Sequence, residues 1–222
     1  MPAYLPPISY FSWLTHQKKT LFAGNLRFQK QTYRNRSYIY GPNGKLRLVV
    51  PIVHNQKKYR TDCETQIFNQ IPWKKTHWKT LCASYRSSPY FEFYEDRLYP
   101  LYQCHNNQLF EFNLQLIQTI CGFLNFDLDY NVIKAVKGQH HVVECLLNAK
   151  NQIKYSLNQY HQVFGNKYGF ISNLSIVDLL FNVGPDSLIF LKKLNLKTNR
   201  TSIQNSISIK KHSYVQPFND IQ

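Results

Sequence analysis

Between Arg27 and Arg36 the chain gathers Arg27, Lys30, Arg34 and Arg36 together with the carboxamides Gln29 and Asn35. If residues 33–38 are extended, strand alternation turns Arg34 and Arg36 to one face and Asn35 to the other. Gln29 and Lys30 then sit in the preceding turn. Two guanidinium groups on one face, with an amide nearby, can hold a phosphate or carboxylate through paired, charge-assisted hydrogen bonds. The same residues also describe a solvated strand edge whose charges guard against aggregation. The spacing leaves both readings open.

Two residues have the chemistry of an acid or base. His77 falls in line with Trp73, Leu81 and Ser84 at helical spacing. It is either a general base, since imidazole titrates near neutrality, or a core histidine bonded to a neighbour. Asp178 follows Ser175 at the start of an apolar helical run, where the helix dipole alone would place a carboxylate. It gains a catalytic meaning if it faces the Arg34 and Arg36 cluster. Asn113 lies within an apolar helical face and bridges either ligand or backbone groups. Ser84, Ser87 and Ser88 have no G-x-S-x-G elbow around them, and no glycine-rich phosphate loop occurs. His140, His141, Glu144 and Cys145 are metal-ligand types in an irregular stretch, read as a surface loop and not a zinc site. The pattern implies no metal and no cofactor.

Several elements must position these groups. Pro6-Pro7 leads into a short helix within residues 4–16, because proline fits a helix's first turn. Residues 20–28 read as a short buried strand turning at Gly24-Asn25. Gly41-Pro42-Asn43-Gly44 separates two β-prone runs, Ser37 to Tyr40 and Lys45 to Val53, and predicts a hairpin. Leu46, Leu48 and Val50 form its expected buried face, and Pro51 limits the second arm. Residues 73–88 form a helix closed by Pro89. Pro100 divides Tyr90 to Tyr102 into two short pieces. Residues 108–124 give the clearest amphipathic helix. Asn173 is the expected N-cap of a helix carrying Leu174, Val177, Leu180 and Phe181, stopped at Gly184-Pro185, and a further short helix runs from Asp186 to Lys193. The prediction is one α/β domain over residues 1–194, a mixed sheet flanked by helices, with α+β as the alternative. Residues 195–222 form a basic tail or an edge strand, and 131–159 an irregular insertion.

The bulk numbers narrow the classes. At 43% hydrophobic and 18% charged, the 222-residue chain can build a core and is not a disordered polymer. A formal charge of +15 favours an anionic partner: a phosphorylated small molecule, nucleic acid or an anionic membrane surface. Five cysteines without a C-x-x-C pair suit reduced thiols. The opening MPAYLPPISYF lacks the regions of a signal peptide, and no apolar run approaches the ~20 residues of a spanning helix. A cytoplasmic protein is expected. Its oligomeric state is not encoded in these patterns.

In order along the chain stand YLPPISYF (4–11), FQKQTYRNRSYI (28–39), Pro51 closing LVVP, WKKTHWKTLCASYRSSPYFEFYED (73–96), FEFNLQLI (110–117) and YHQVFGNKYGFISNLSIVDLLFNVGP (160–185). Together these segments resemble the WbqC-like family. Where many members carry His-Gln-Pro before the Tyr-Leu-Pro segment, this chain has Met1-Pro2-Ala3. The resemblance implies work near activated sugars, such as a nucleotide sugar, in bacterial surface polysaccharide biosynthesis. On that reading a transferase would hold a phosphate with Gln29, Lys30, Arg34, Asn35 and Arg36, assisted by Asn113, Gln162 and Asn173. His77 or Asp178 would take the acceptor's proton. The alternative is a non-enzymatic basic protein that binds nucleic acid or an anionic surface. The enzyme reading requires the 27–36 segment, His77 and the 162–178 segment to converge on one pocket.

Overall fold

Proline punctuation and apolar spacing account for most of the elements. The computed structural model describes residues 1–54, 60–133, 145–149 and 157–194. Pro7 caps α1 (Ile8–Thr15), which is buried nearly all round. Strand β1 (Thr20–Ala23) pairs in parallel with β4 (Tyr130–Ile133). Strands β2 (Arg36–Gly41) and β3 (Gly44–Val49) form the expected hairpin, in the register Arg36↔Val49 to Gly41↔Gly44. Gly44, at φ +97, supplies the backbone turn that an L side chain resists. The domain is thus α/β, with its mixed pairing carried by one parallel and one antiparallel ladder among the described residues.

Burial in the hairpin follows the strand and not the face: β2 encloses both Ile39 and Tyr40, on opposite faces, whereas β3 is mostly exposed. Leu48 and Val50 are enclosed as expected, whereas Leu46 is 37% exposed. β3 is the outer strand: helices pack on β2, leaving most of β3 open to solvent.

Helix α2 (Trp73–Tyr85) buries Trp73, His77, Leu81 and Ser84 on the predicted face. Helix α3 (Phe91–Gln103) corrects the expected break at Pro100: it is one helix with the proline inside. Phe91, Tyr94, Leu98 and Tyr102 make a continuous buried stripe, and the packing of that stripe outweighs one missing backbone bond in the last turn. Helix α4 (Leu109–Phe123) places Asn113 within its apolar face. A single turn, α5 (Gly165–Tyr168), precedes α6 (Ile176–Val183) and α7 (Ser187–Lys193). The cap of α6 is Ser175, whose Oγ accepts from the Val177 N–H. Asn173 does not cap α6. Its φ of +55 swings the side chain toward another helix, where Oδ1 accepts from the Ser9 N–H at 2.9 Å. Asn173 therefore caps α1, which Pro7 cannot do through a side chain.

The two helix starts lie back to back. Pro7 and Ser175 form an antiparallel bridge, Ile8 N–H donates to Leu174 O, and Ile176 N–H donates to Pro6 O. The chain is closed further by α7, whose Leu191 carbonyl accepts from Ser12 Oγ on α1 at 3.0 Å. The irregular stretch expected at 131–159 falls mostly outside the described residues, and the tail from 195 falls entirely outside them.

Candidate functional site

The condition set for Arg34 and Arg36 is not met: residues 33–35 turn, and the strand begins only at Arg36. The two guanidinium groups consequently have different fates. Arg34 is buried, and its Nε lies 2.8 Å from Asp62 Oδ1, both side chains being almost fully enclosed. It also donates to the sulfur of Met1. Its backbone carbonyl accepts from Asn113 Nδ2 at 2.7 Å, and the same amide reaches Pro2 O at 3.4 Å. Asn35 closes the base of the hairpin, donating to Val50 O while its own carbonyl receives the Val50 N–H. Arg36 stays half-buried on the hairpin, Gln29 is half-buried, and Lys30 is exposed.

His77 sits in an aromatic cage. Tyr4 Oη is 2.8 Å from its Nδ1, Tyr102 Oη is 3.0 Å from Tyr4 Oη, and Trp73 meets the imidazole edge-on at 5.2 Å. Burial pushes the imidazole down to about 4, so it is neutral near pH 7. The unfolded chain protonates this histidine near 6.5, and the folded chain does so only near 4. Stability from this group is therefore complete above about pH 6.5 and lost as pH falls toward 4, by up to about 3 kcal/mol. Urea unfolding at pH 7 and pH 4.5 should show that loss in the wild type and a much smaller one in His77→Phe. Equal pH dependence in both proteins would remove the assignment.

Asp178 is fully buried, and its oxygens are all engaged. Tyr85 Oη donates to Oδ1 at 2.8 Å, while Tyr160 Oη and Gln162 Nε2 donate to Oδ2 at 2.5 and 2.8 Å. Burial nevertheless raises its pKa, the three hydrogen bonds offsetting the shift only in part. Gln162 spends its remaining capacity on its own segment, exchanging bonds with the backbone of Ile171. Tyr40 Oη donates to Gly169 O, so the 160–171 segment is strapped over the end of β2.

Helix α2 links the two enclosed networks. His77 meets Tyr4 from the N-terminal segment, and Tyr85 receives the Tyr40 N–H from the inner strand. Eight residues, about 12 Å of helix, separate the two clasps. Among the described residues no hydrogen bond or ion pair joins Arg34 or Arg36 to His77 or Asp178. Arg34, Asn35, Asn113, Gln162 and Asn173 are each bonded within the fold. Ser88 is likewise used, donating to Tyr85 O. No group of three or more His, Cys, Asp or Glu side chains able to hold a metal occurs among the described residues, and His140, His141 and Glu144 lie outside them.

Solvent instead reaches an open cleft of about 270 Å³ lined by Asn25, Arg27, Arg60, Thr61 and Glu64. Its walls are paired backbones: Arg27 bridges to Thr61, Phe28 N–H donates to Arg60 O, and Asp62 N–H donates to Leu26 O. Arg60 lies over the Phe28 ring, 4.8 Å from its centroid, and donates to Val53 O. Thr61 N–H and Oγ1 both bond Glu64 Oε2, at 2.8 and 2.9 Å, and Thr61 Oγ1 accepts from the Glu64 N–H. Arg60, Thr61 and Glu64 were missed by sequence reasoning, although Thr61-x-x-Glu64 carries the reciprocal spacing of a capping box.

The model of the WbqC-like protein family matches residues 1–156 of the chain. "Uncharacterized protein Rv1507c" of Mycobacterium tuberculosis (strain ATCC 25618 / H37Rv) is 24% identical over 222 residues, covering 85% of this chain and 94% of that protein. No solved structure matches.

Proposed function

The chain belongs to the WbqC-like protein family, and from that premise we propose that it is a transferase acting on an activated, phosphate-bearing sugar or sugar-linked intermediate of surface polysaccharide biosynthesis. The observation that carries the reading is the placing of two guanidinium groups, Arg27 and Arg60, on one open cleft. Arg60 is pre-oriented by Phe28 and Val53, so little side-chain freedom is lost when an anion binds. In this role the pair neutralises the phosphate and stabilises charge that grows on it as the sugar bond breaks. Glu64, fixed by Thr61, is the carboxylate of the cleft and takes the acceptor's proton. Lys30, exposed three residues beyond Arg27, adds positive potential from the same loop. His77 and Asp178 are too enclosed to meet a substrate and have no part in this mechanism.

A panel of nucleotide sugars tests the reading. One of them at saturating concentration should raise the melting temperature by about 5 °C. Arg27→Ala and Arg60→Ala should abolish the shift. Mass spectrometry should detect a transferred sugar with wild type and none with Glu64→Gln. If no member of the panel shifts the midpoint, the substrate class is wrong. If binding occurs without turnover, the transferase is wrong.

A further inference from the structure

The positive charge is concentrated. Residues 1–61 hold eleven of the 27 lysines and arginines and no Asp or Glu at all, leaving only +4 of the formal +15 for the rest of the chain. Within this acid-free quarter, the hairpin arrays its cations by register. Arg36 pairs with Val49, Tyr38 with Arg47, and Tyr40 with Lys45, so all six side chains share one face. Lys45, Arg47 and Val49 are exposed, and the buried Nε of half-buried Arg36 has no hydrogen-bond partner among the described residues. Val49, 37% exposed, adds apolar surface on that face, while Leu46, paired with Ile39, belongs to the opposite one.

We infer that this hairpin docks the protein on an anionic phospholipid surface. The docking is independent of the cleft and of any transfer reaction there. Exposed cations beside the aliphatic Val49 suit a lipid headgroup layer, where each Lys or Arg gains from the negative surface potential. Single-stranded nucleic acid fits less well. The Tyr38 ring, half-buried, is already covered by the Lys45 ammonium at 4.6 Å, so no base can stack on that face of the ring. No helix among the described residues is long and apolar enough to cross a membrane. Attachment through the hairpin is therefore peripheral and sensitive to salt.

Sedimentation of the full chain with vesicles tests the inference, comparing phosphatidylcholine alone with vesicles containing about 30 mol % phosphatidylglycerol. Binding should require the anionic lipid and fall as salt rises. Replacing both Lys45→Gln and Arg47→Gln should weaken it about thirtyfold, while Lys192→Gln with Lys193→Gln on α7 should leave it unchanged. Matching melting temperatures establish that both double variants fold. Equal binding to neutral vesicles, no binding, or equal losses in the two double variants would overturn the hairpin as the docking element. A protein that ignores vesicles yet retains an RNA oligomer in a salt-dependent manner would reassign the face to nucleic acid.

Discussion

Asp178→Ala should cost about 3–5 kcal/mol of folding stability, a large part of what holds a domain of this size. Alanine leaves the Tyr85 and Tyr160 hydroxyls and the Gln162 amide without their common acceptor, inside a site that water does not reach. Each orphaned donor carries its own desolvation cost, about 1–3 kcal/mol, and partial relaxation keeps the total below the sum. Asp178→Asn retains one acceptor oxygen but turns an NH2 group toward a donor, so it should be intermediate. The sign of the pH effect separates the carboxylate from mere packing. Because the folded-state pKa is raised, the contribution of Asp178 is most favourable near and below its ordinary value of about 3.8 and declines as pH rises through the shifted one. Wild type should therefore gain on Asp178→Asn as the solution is acidified, opposite in direction to the loss traced to His77. Hydrogen exchange offers a local check, since the Ile171 amide is bonded to Gln162 and should exchange faster once the strap is released. An alanine variant with wild-type urea midpoint and wild-type protection at Ile171 would refute the network.

Breaking the buried Arg34–Asp62 pair from one side should be comparably damaging. Arg34→Met leaves the Asp62 carboxylate enclosed without its guanidinium partner, at a cost of about 3–5 kcal/mol. Removing both charges, as Arg34→Met with Asp62→Leu, should recover most of the loss, because desolvating the pair consumes much of its Coulombic gain. A double-mutant cycle by urea unfolding measures the coupling. If the double variant is destabilised by the full sum of the two singles, the charges act independently and the pair does not fasten the fold.

The fold was readable where a local signal coincided with packing. Pro6-Pro7, the Gly41-Pro42-Asn43-Gly44 turn, the α2 face through His77 and the stop at Gly184 all appear where their residue types placed them. The misreadings share one cause: partners distant in sequence. Pro100 spoke for a break, yet four buried side chains on α3 hold it helical. Asn173 has the chemistry of an N-cap, but it serves a helix at the other end of the chain. Arg34 and Arg36 looked like a matched pair until the turn at residues 33–35 and the draw of Asp62 parted them. His77 and Asn113 are both enclosed, the one bonded to Tyr4 and the other to the Arg34 carbonyl. The open cleft was the least legible feature, because its two walls, near residues 25–27 and 60–64, are brought together by backbone pairing that no periodicity announces.

The bridge at Pro7 and Ser175 also sets an order of events on the ribosome. The Asn173 side chain that receives the Ser9 amide is 164 residues downstream of it, and the Ser175 hydroxyl that binds the Leu5 carbonyl is 170 downstream. Translation delivers the first helix long before anything exists to finish its start. The nascent chain must then wait, with its aromatic side chains uncovered, until most of the polypeptide has emerged. Contacts of such long range slow folding and lengthen exposure to aggregation. Joining residues 5–9 to residues 173–175 makes closure of this seam a late, slow step of folding.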